Sequence, residues 1–345
     1  MSVSVPQPSR RSSGRAGGGN ALRLTGHGRF VLADPGRLRV VFTDVPSKIL
    51  AMRFPFYKMH GAANDFILLD DRSNQFPAHD TAWIARMAAR RTGVGCEGVI
   101  LIQSSAQADF RMRFFNPDGH EVEMCGNGAR CVARLAHDLG IAPADMRIET
   151  VAGTIAARVG ADGRVTLALT PPKDWRLHRH LFVQDRWYEY HFVNTGVPHA
   201  VIVVENLSEV PVAELGRAIR YHADFAPAGT NVDFVQAAGP DELRVRTYER
   251  GVEAETLACG TGMAAVAVVM ARLGQVAFPV RVIPASGDVL IADARTEAGW
   301  DRLDVTLNGP AEYVFEGVLD YPGPLRPGAL PGDGEEGRGA DPAAR

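Results

Sequence analysis

Cys125-Gly-Asn-Gly-Ala-Arg-Cys-Val-Ala-Arg-Leu-Ala136 and Cys259-Gly-Thr-Gly-Met-Ala-Ala-Val-Ala-Val-Val-Met270 are the two stretches on which the fold turns. In each, a cysteine and a Gly-x-Gly turn lead into an apolar helix. Each helix closes on a Leu-Gly pair, Leu139-Gly140 and Leu273-Gly274, fifteen residues from cysteine to glycine. The flanks repeat as well. Phe66–Asp70 reads as a short buried strand, followed by a helix that Asp80 or Thr81 caps and that closes near Gly93. Ala200–Glu205 and the run from Pro211 to about Phe225 read the same way. Period-two runs, Arg164–Leu169 and Leu243–Tyr248, supply hairpin strands. Such an ordered series of matches is the mark of a duplicated fold. The expected class is α/β (α+β): two pseudo-symmetric halves, residues 54–175 and 176–321, each a strand-rich mixed sheet wrapped around a central helix.

Composition narrows the function. The chain has 345 residues, 46% hydrophobic and 22% charged, ordinary for one large or two mid-sized packed domains. Lys and Arg number 37 against 40 Asp and Glu, a net charge of −3 that leaves no basic surface for a polyanion, so nucleic acid is not an expected partner. The longest uncharged apolar stretch, Thr256–Ala271, has 16 residues and two glycines. A membrane span needs roughly 18 or more, so none is expected. Four cysteines without a CxxC pair read as reduced thiols of a cytoplasmic protein. Residues 1–53 are read as a disordered extension or a mis-assigned start, because the first 51 carry eight basic and two acidic residues and Met52 opens an apolar strand as a natural beginning would. The Arg- and Ser-rich composition also fits a transit peptide. Residues 322–345 contain 11 Pro or Gly and no aromatic, and are read as a disordered tail.

The thiols carry the chemistry. The first N–H groups of a helix lack intrahelical acceptors and make an anion site. A helix end also favours a thiolate, which would lower the cysteine pKa from about 8.5 toward 7. Cys96 and Cys131 lack that setting and read as small buried hydrophobes; the Val-rich run Met263–Met270 reads as core. Zinc held by all four cysteines would need ligand pairs two to four residues apart, and the closest pair, Cys125 and Cys131, is six apart. No metal is expected. A single nucleophilic thiol would want one cysteine and one orienting histidine, whereas two equivalent loops suit two matched proton transfers. That task is inversion of a carbon centre, with one thiolate removing a proton from one face and the opposing thiol returning one to the other. A pyridoxal enzyme would use a Schiff-base lysine. The chain has only Lys48, Lys58 and Lys173, none in a glycine-rich phosphate setting, so no cofactor is expected.

Four stretches together resemble the diaminopimelate epimerase family across residues 54–321: Lys58-Met-His-Gly-Ala-Ala-Asn-Asp-Phe66, Phe115-Asn-Pro-Asp-Gly-His-Glu-Val-Glu-Met-Cys-Gly-Asn-Gly-Ala-Arg-Cys131, Gly229-Thr-Asn-Val-Asp-Phe234 and Glu249-Arg-Gly-Val-Glu-Ala-Glu-Thr-Leu-Ala-Cys-Gly-Thr-Gly262. The resemblance implies a cofactor-independent isomerase interconverting LL- and meso-2,6-diaminopimelate in lysine and cell-wall precursor synthesis. It implies that Cys125 and Cys259 are the acid–base pair, that His199 and Glu249 assist, and that Gly126, Asn127, Gly260 and Thr261 hold the reacting carboxylate. Asn64, Asn116, Asn231, Glu249 and Arg250 would line the rest of the substrate site. The expected partners are the small-molecule substrate and a second copy in a homodimer. Two positions depart from the family pattern: Val197 stands where many members have a substrate-binding asparagine, and Gly98 where some have glutamine. A proline or hydroxyproline racemase, or a non-catalytic ligand-binding relative, remains the alternative.

Overall fold

In a computed structural model of the chain, residues 28–32, 38–42, 52–296, 299–300 and 302–323 are described. Most of the expected extension, and the tail beyond residue 323, lie outside them. The chain divides into two compact units, Met1–Lys48 and Ile49–Arg345. In the first, β1 (Gly28–Leu32) pairs antiparallel with β2 (Leu38–Phe42), a hairpin that the reading of the amino end did not include.

The second unit runs β3 (Met52–Gly61), β4 (Asn64–Asp70), α1 (Thr81–Ala88), β5 (Gly98–Gln103), β6 (Phe110–Phe115), β7 (Glu121–Val122), α2 (Gly126–Asp138), β8 (Asp145–Thr150), β9 (Gly153–Val159), β10 (Val165–Ala168) and β11 (Lys173–Val183). The order then recurs as β12 (Arg186–Asn194), β13 (Pro198–Val203), α3 (Val212–Arg220), β14 (Asn231–Gly239), β15 (Glu242–Glu249), β16 (Ala254–Thr256), α4 (Gly260–Arg272), β17 (Val280–Ile283), β18 (Leu290–Thr296), β19 (Leu303–Gly309) and β20 (Glu312–Tyr321). Strand relations repeat one for one. β3 and β4 pair antiparallel, β4 and β5 parallel, β5 and β6 antiparallel, β6 and β8 parallel, β8 and β9 antiparallel. β12 and β13, β13 and β14, β14 and β15, β15 and β17, β17 and β18 do the same.

The two sheets exchange strands. β10 pairs antiparallel with β19, from Val165 opposite Gly309 to Ala168 opposite Thr306. β11 flanks β12, and β20 returns to flank β3, with Met52 opposite Tyr321. The expected boundary at 175/176 thus falls inside β11, and β20, the last strand among the described residues, completes the sheet of the first half.

The inner strands β4, β5, β13 and β14 are buried on both faces, which explains why they read as continuous apolar runs. In β4, Phe66 and Leu68 face α2 with Val132, Leu135 and Ile100, while Ile67 and Leu69 face α1 with Trp83 and Ile84. In β13, Val201 packs with α4, and Ala200 and Ile202 pack with α3 residues Leu215 and Ile219. Helix α4 is buried along its whole length from Gly262 to Met270, as an apolar-all-round helix must be. Each buried Val or Met there contributes about 1.5–3 kcal/mol, which anchors the residue at its amino end.

Both outer helices are shorter than expected. Asp80 caps α1 through the Trp83 N–H at 3.0 Å, but the helix ends at Ala88 rather than near Gly93. The returning chain caps it, with the Gly95 and Cys96 N–H groups taking the Met87 and Ala88 carbonyls. α3 ends at Arg220, and a separate 3-10 turn, Ala223–Phe225, is capped by the His222 ring accepting from the Asp224 N–H.

Candidate active site

Cys125 and Cys259 are the N-cap residues of α2 and α4, both with extended backbone and neither with a side-chain cap bond. The first intrahelical bonds run from Ala129 to the Cys125 carbonyl at 2.8 Å and from Met263 to the Cys259 carbonyl at 2.9 Å. The N–H groups of Gly126, Asn127, Gly128, Gly260, Thr261 and Gly262 are therefore free to face an anion. The two helix ends meet. The Asn127 Nδ2 donates to the carbonyl of Ala258, the residue before Cys259, at 3.1 Å. A β-carbon on Gly260 would lie 3.9 Å from the Gly126 α-carbon.

Side chains from four strands or their ends complete the cluster. Asn64 opens β4; its Oδ1 lies 3.6 Å from the Cys125 sulfur and accepts from the Asn127 amide at 3.3 Å, and its own amide donates to Glu97. On the other side, the Thr261 hydroxyl lies 3.5 Å from the Cys259 sulfur and 3.0 Å from the His199 Nε2. The opposite ring nitrogen, Nδ1, faces the Asp233 carboxylate at 2.7 Å, and the second Asp233 oxygen accepts from Thr247 at 2.8 Å. A carboxylate only accepts, so the His199 Nδ1 carries a proton; in the neutral ring Nε2 then accepts from Thr261, and the Thr261 oxygen is left to accept from the thiol. His199 reaches Cys259 only through Thr261.

Asn231 lies opposite His199 in the β13–β14 register and bridges by accepting from the Arg250 N–H at 2.7 Å and donating to the Pro198 carbonyl at 3.1 Å. The Arg250 guanidinium donates to the Ala228 carbonyl at 3.3 Å and lines a cleft of about 410 Å³ shared with Arg176, Asn194 and Pro198. Asn116 stands apart. Its backbone closes the turn to Gly119, and among the described residues its side chain bonds to none of the other candidates.

Electrostatics reverse one expectation. Burial pushes the Cys125 thiol up to about 11, against the lowering pull of the Gly128 and Asn127 N–H groups, and the Glu249 charge pushes the same way as burial. Burial, then Glu249 and Asp233, raises Cys259 as well. The helix-end effect is present but smaller than desolvation, so both thiols rest protonated. Burial also raises the Glu249 carboxyl. Cys96 and Cys131 are buried among the residues packed on α1 and α2, and burial lifts them to about 11 and about 12.

The departures have local causes. A β-carbon at Gly98 would come 2.2 Å from the Phe114 ring, so no larger residue fits on β5 as packed. Beside Val197, Asn194 offers an amide to the cleft that Arg250 lines. Three more polar residues serve the cluster: Asp233, Thr247, and Thr195, whose hydroxyl donates to the Thr261 carbonyl at 3.0 Å. Asp233 was within reach of sequence reading, since a strand puts it on the same face as Asn231.

His178, Glu189 and His191 group on the β11–β12 hairpin with ligand atoms within 4.8 Å of one another. Two of these groups already have partners: the His178 Nδ1 lies 2.6 Å from the Glu189 carboxylate, and the His191 Nδ1 accepts from the His178 backbone N–H at 3.2 Å. The four cysteines are free thiols.

A sequence profile of diaminopimelate epimerases matches residues 56–175 and 191–312. The chain belongs to the diaminopimelate epimerase family. Among curated relatives of that name, one from Aquifex aeolicus (strain VF5) is 44% identical over 282 residues, covering 77% of this chain and 99% of its own. Another, from Hydrogenobaculum sp. (strain Y04AAS1), is 42% identical over 276 residues, covering 76% and 98%. Among solved structures, a Bacillus anthracis phenazine biosynthesis protein of the PhzF family superposes with a TM-score of 0.62 at 15% identity, covering 78% of this chain and 99% of that one. A hydroxyproline epimerase from Agrobacterium vitis superposes at 0.58 and 19%, covering 79% and 93%. Those two likenesses share the fold of this family.

Proposed function

We propose that this chain interconverts LL- and meso-2,6-diaminopimelate without a cofactor, with Cys125 and Cys259 exchanging protons on opposite faces of one α-carbon. The observation that carries it is the pairing of two cysteines at the N-cap positions of helix ends tied together by the Asn127 to Ala258 bond. An amino-acid α-proton is a very weak acid, so negative charge developing on the carboxylate needs donors already in place. The N–H groups at the two helix ends, Gly126 and Asn127 on α2 and Gly260 and Thr261 on α4, supply them, each donor of this kind being worth about 3–4 kcal/mol. One thiol must ionise to act as base. The Glu249 charge opposes that for both thiols, so a substrate ammonium beside Glu249 offsets that field and releases a thiolate only when substrate is bound. His199 orients Thr261 and through it the Cys259 proton. Arg250 takes the distal carboxylate in the cleft, where a planar fork gives two-point contact, and Asn231 holds the Arg250 backbone in place.

The same reading places the enzyme in lysine and peptidoglycan precursor synthesis, in the cytoplasm, as a homodimer, and divides the body into halves 54–175 and 176–321 with β20 handed back to the first. Among the described residues no helix is long and apolar enough to cross a membrane. The test is exchange of the α-proton in heavy water, comparing LL-diaminopimelate with L-proline. Deuterium entering only the former, with appearance of the meso isomer, is the expected result. Exchange of proline alone would transfer the assignment to the racemases, and exchange of neither would remove the catalytic reading.

A further inference from the structure

Arg130 is fully buried, yet among the described residues it forms no ion pair. Its Nε donates to the Pro310 carbonyl at 3.1 Å and its Nη2 to the Asn127 Oδ1 at 2.9 Å, while Nη1 is buried without a partner. A buried cation without a counter-ion is strongly disfavoured, and the chain makes room for this one. A β-carbon at Gly309 would come 2.9 Å from its Nε, and one at Gly61 would come 3.2 Å from its Nη2. The strand ends around the guanidinium are thus bare where any side chain would crowd it.

Two consequences follow from the chemistry of the guanidinium. Arginine has donors only, so the Asn127 oxygen must face it and the Asn127 NH2 must face outward, to Asn64 and to Ala258. The opposite amide orientation would break the tie between the two cysteine loops. The other consequence is electrostatic. Burial lowers the Arg130 pKa, and against it the anions that most favour the charge are those that Cys131 and Cys125 would carry, ahead of Asp288, with Arg164 opposing. Cys131 lies in the apolar core; Cys125 opens on the site.

We propose that Arg130 is a positioning residue for this reaction: a buried cation that fixes which way the Asn127 amide faces and stabilises the anion formed at Cys125. It touches neither substrate nor thiol by hydrogen bond, and acts on the first loop alone. Cys259 has no matching cation, since α4 carries Met263 and Ala264 where α2 carries Ala129 and Arg130. The groups facing Cys125 are then Arg130 and the Asn127 and Gly128 N–H groups on its own helix, Asn64 from β4, and Glu249 from β15. The two thiols are chemically unequal despite the symmetry of their loops.

The inference rests on Cys125 being an acid–base group, and its test reads ionisation without turnover, so the two can fail separately. The rate of alkylation by iodoacetamide is measured between pH 7 and 9 at each cysteine by peptide mapping. In Arg130→Met the Cys125 rate at fixed pH is expected to fall about tenfold, the equivalent of about one pH unit, with the Cys259 profile unmoved. Arg130→Lys, which keeps the charge, is expected to restore most of the Cys125 rate. Where the methionine variant does not fold, Arg130→Gln removes the charge while keeping a donor to Asn127, and the same fall is expected. A folded charge-free variant whose Cys125 profile overlays the wild type, or one in which both cysteines slow equally, would overturn the proposal and leave Arg130 a packing residue.

Discussion

Replacing Asp233 with alanine removes the one acceptor shared by two buried donors. His199 and Asp233 are wholly inaccessible and Thr247 is 2% exposed, so water cannot replace what is lost. The His199 Nδ1–H and the Thr247 hydroxyl, now 2.7 and 2.8 Å from the carboxylate, would each be stranded. A stranded buried donor costs about 1–3 kcal/mol, giving about 2–6 kcal/mol for the pair. At about 2–4 °C per kcal/mol for a domain of this size, the melting temperature falls by at least about 4 °C. Asp233→Asn keeps two hydrogen bonds and loses only the charge, so its cost is about 1 kcal/mol. The asparagine frees His199 to change tautomer and misdirect Thr261. Turnover should then fall about tenfold or more, the factor for about 1.4 kcal/mol of lost orientation, with KM nearly unchanged because Asp233 does not reach the cleft. Calorimetry and steady-state kinetics on both variants measure these effects. An alanine variant melting within about 1 °C of wild type, or an asparagine variant whose loss lies wholly in KM, would refute the proton order from Asp233 through His199 and Thr261 to Cys259.

Other outcomes are equally open to measurement. Mild oxidant should inactivate the enzyme reversibly by joining Cys125 to Cys259, with substrate protecting, and peptide mapping should find that link. Arg250→Lys should lower kcat/KM by about tenfold or more, since an ammonium cannot reproduce a two-point contact with a carboxylate; wild-type kinetics would exclude the role. In the free enzyme both thiol pKa values are raised, Cys125 to about 11, so the thiol form dominates at neutral pH and alkylation should accelerate as pH rises toward that value. Glu249→Gln removes a negative charge that raises both, so both profiles should move to lower pH; a shift upward, or of one thiol only, would contradict the action of Glu249 on both thiols.

What could be read in advance was local. The twin loops, the long helices behind them and the Asp80 cap are written in contiguous residues, and each formed within a few residues of its expected place. The strand exchange was invisible because the pairing of β10 with β19, or of β20 with β3, joins segments more than a hundred residues apart with no local mark. The thiol ionisation was misjudged for a related reason: a helix end is visible in a sequence, but the depth of its burial depends on which strands close over it. Arg130 shows the same limit, since an arginine four residues into a helix reads as solvent-facing until the two glycines that cradle it are brought alongside. Asn64, by contrast, was recoverable only through its motif, since taken alone an asparagine at a strand end reads as a turn residue.

The central claim is that one proton is handled by each thiol on opposite faces of a single carbon. It is tested most directly by incubating LL-diaminopimelate in heavy water with Cys125→Ala and with Cys259→Ala and following both meso product and deuterium at the α-carbon. The account predicts that neither variant forms meso product at a measurable fraction of the wild-type rate. It also predicts that the wild type places one deuterium in each inverted centre. A single alanine variant that still inverts the centre at the wild-type rate would contradict it.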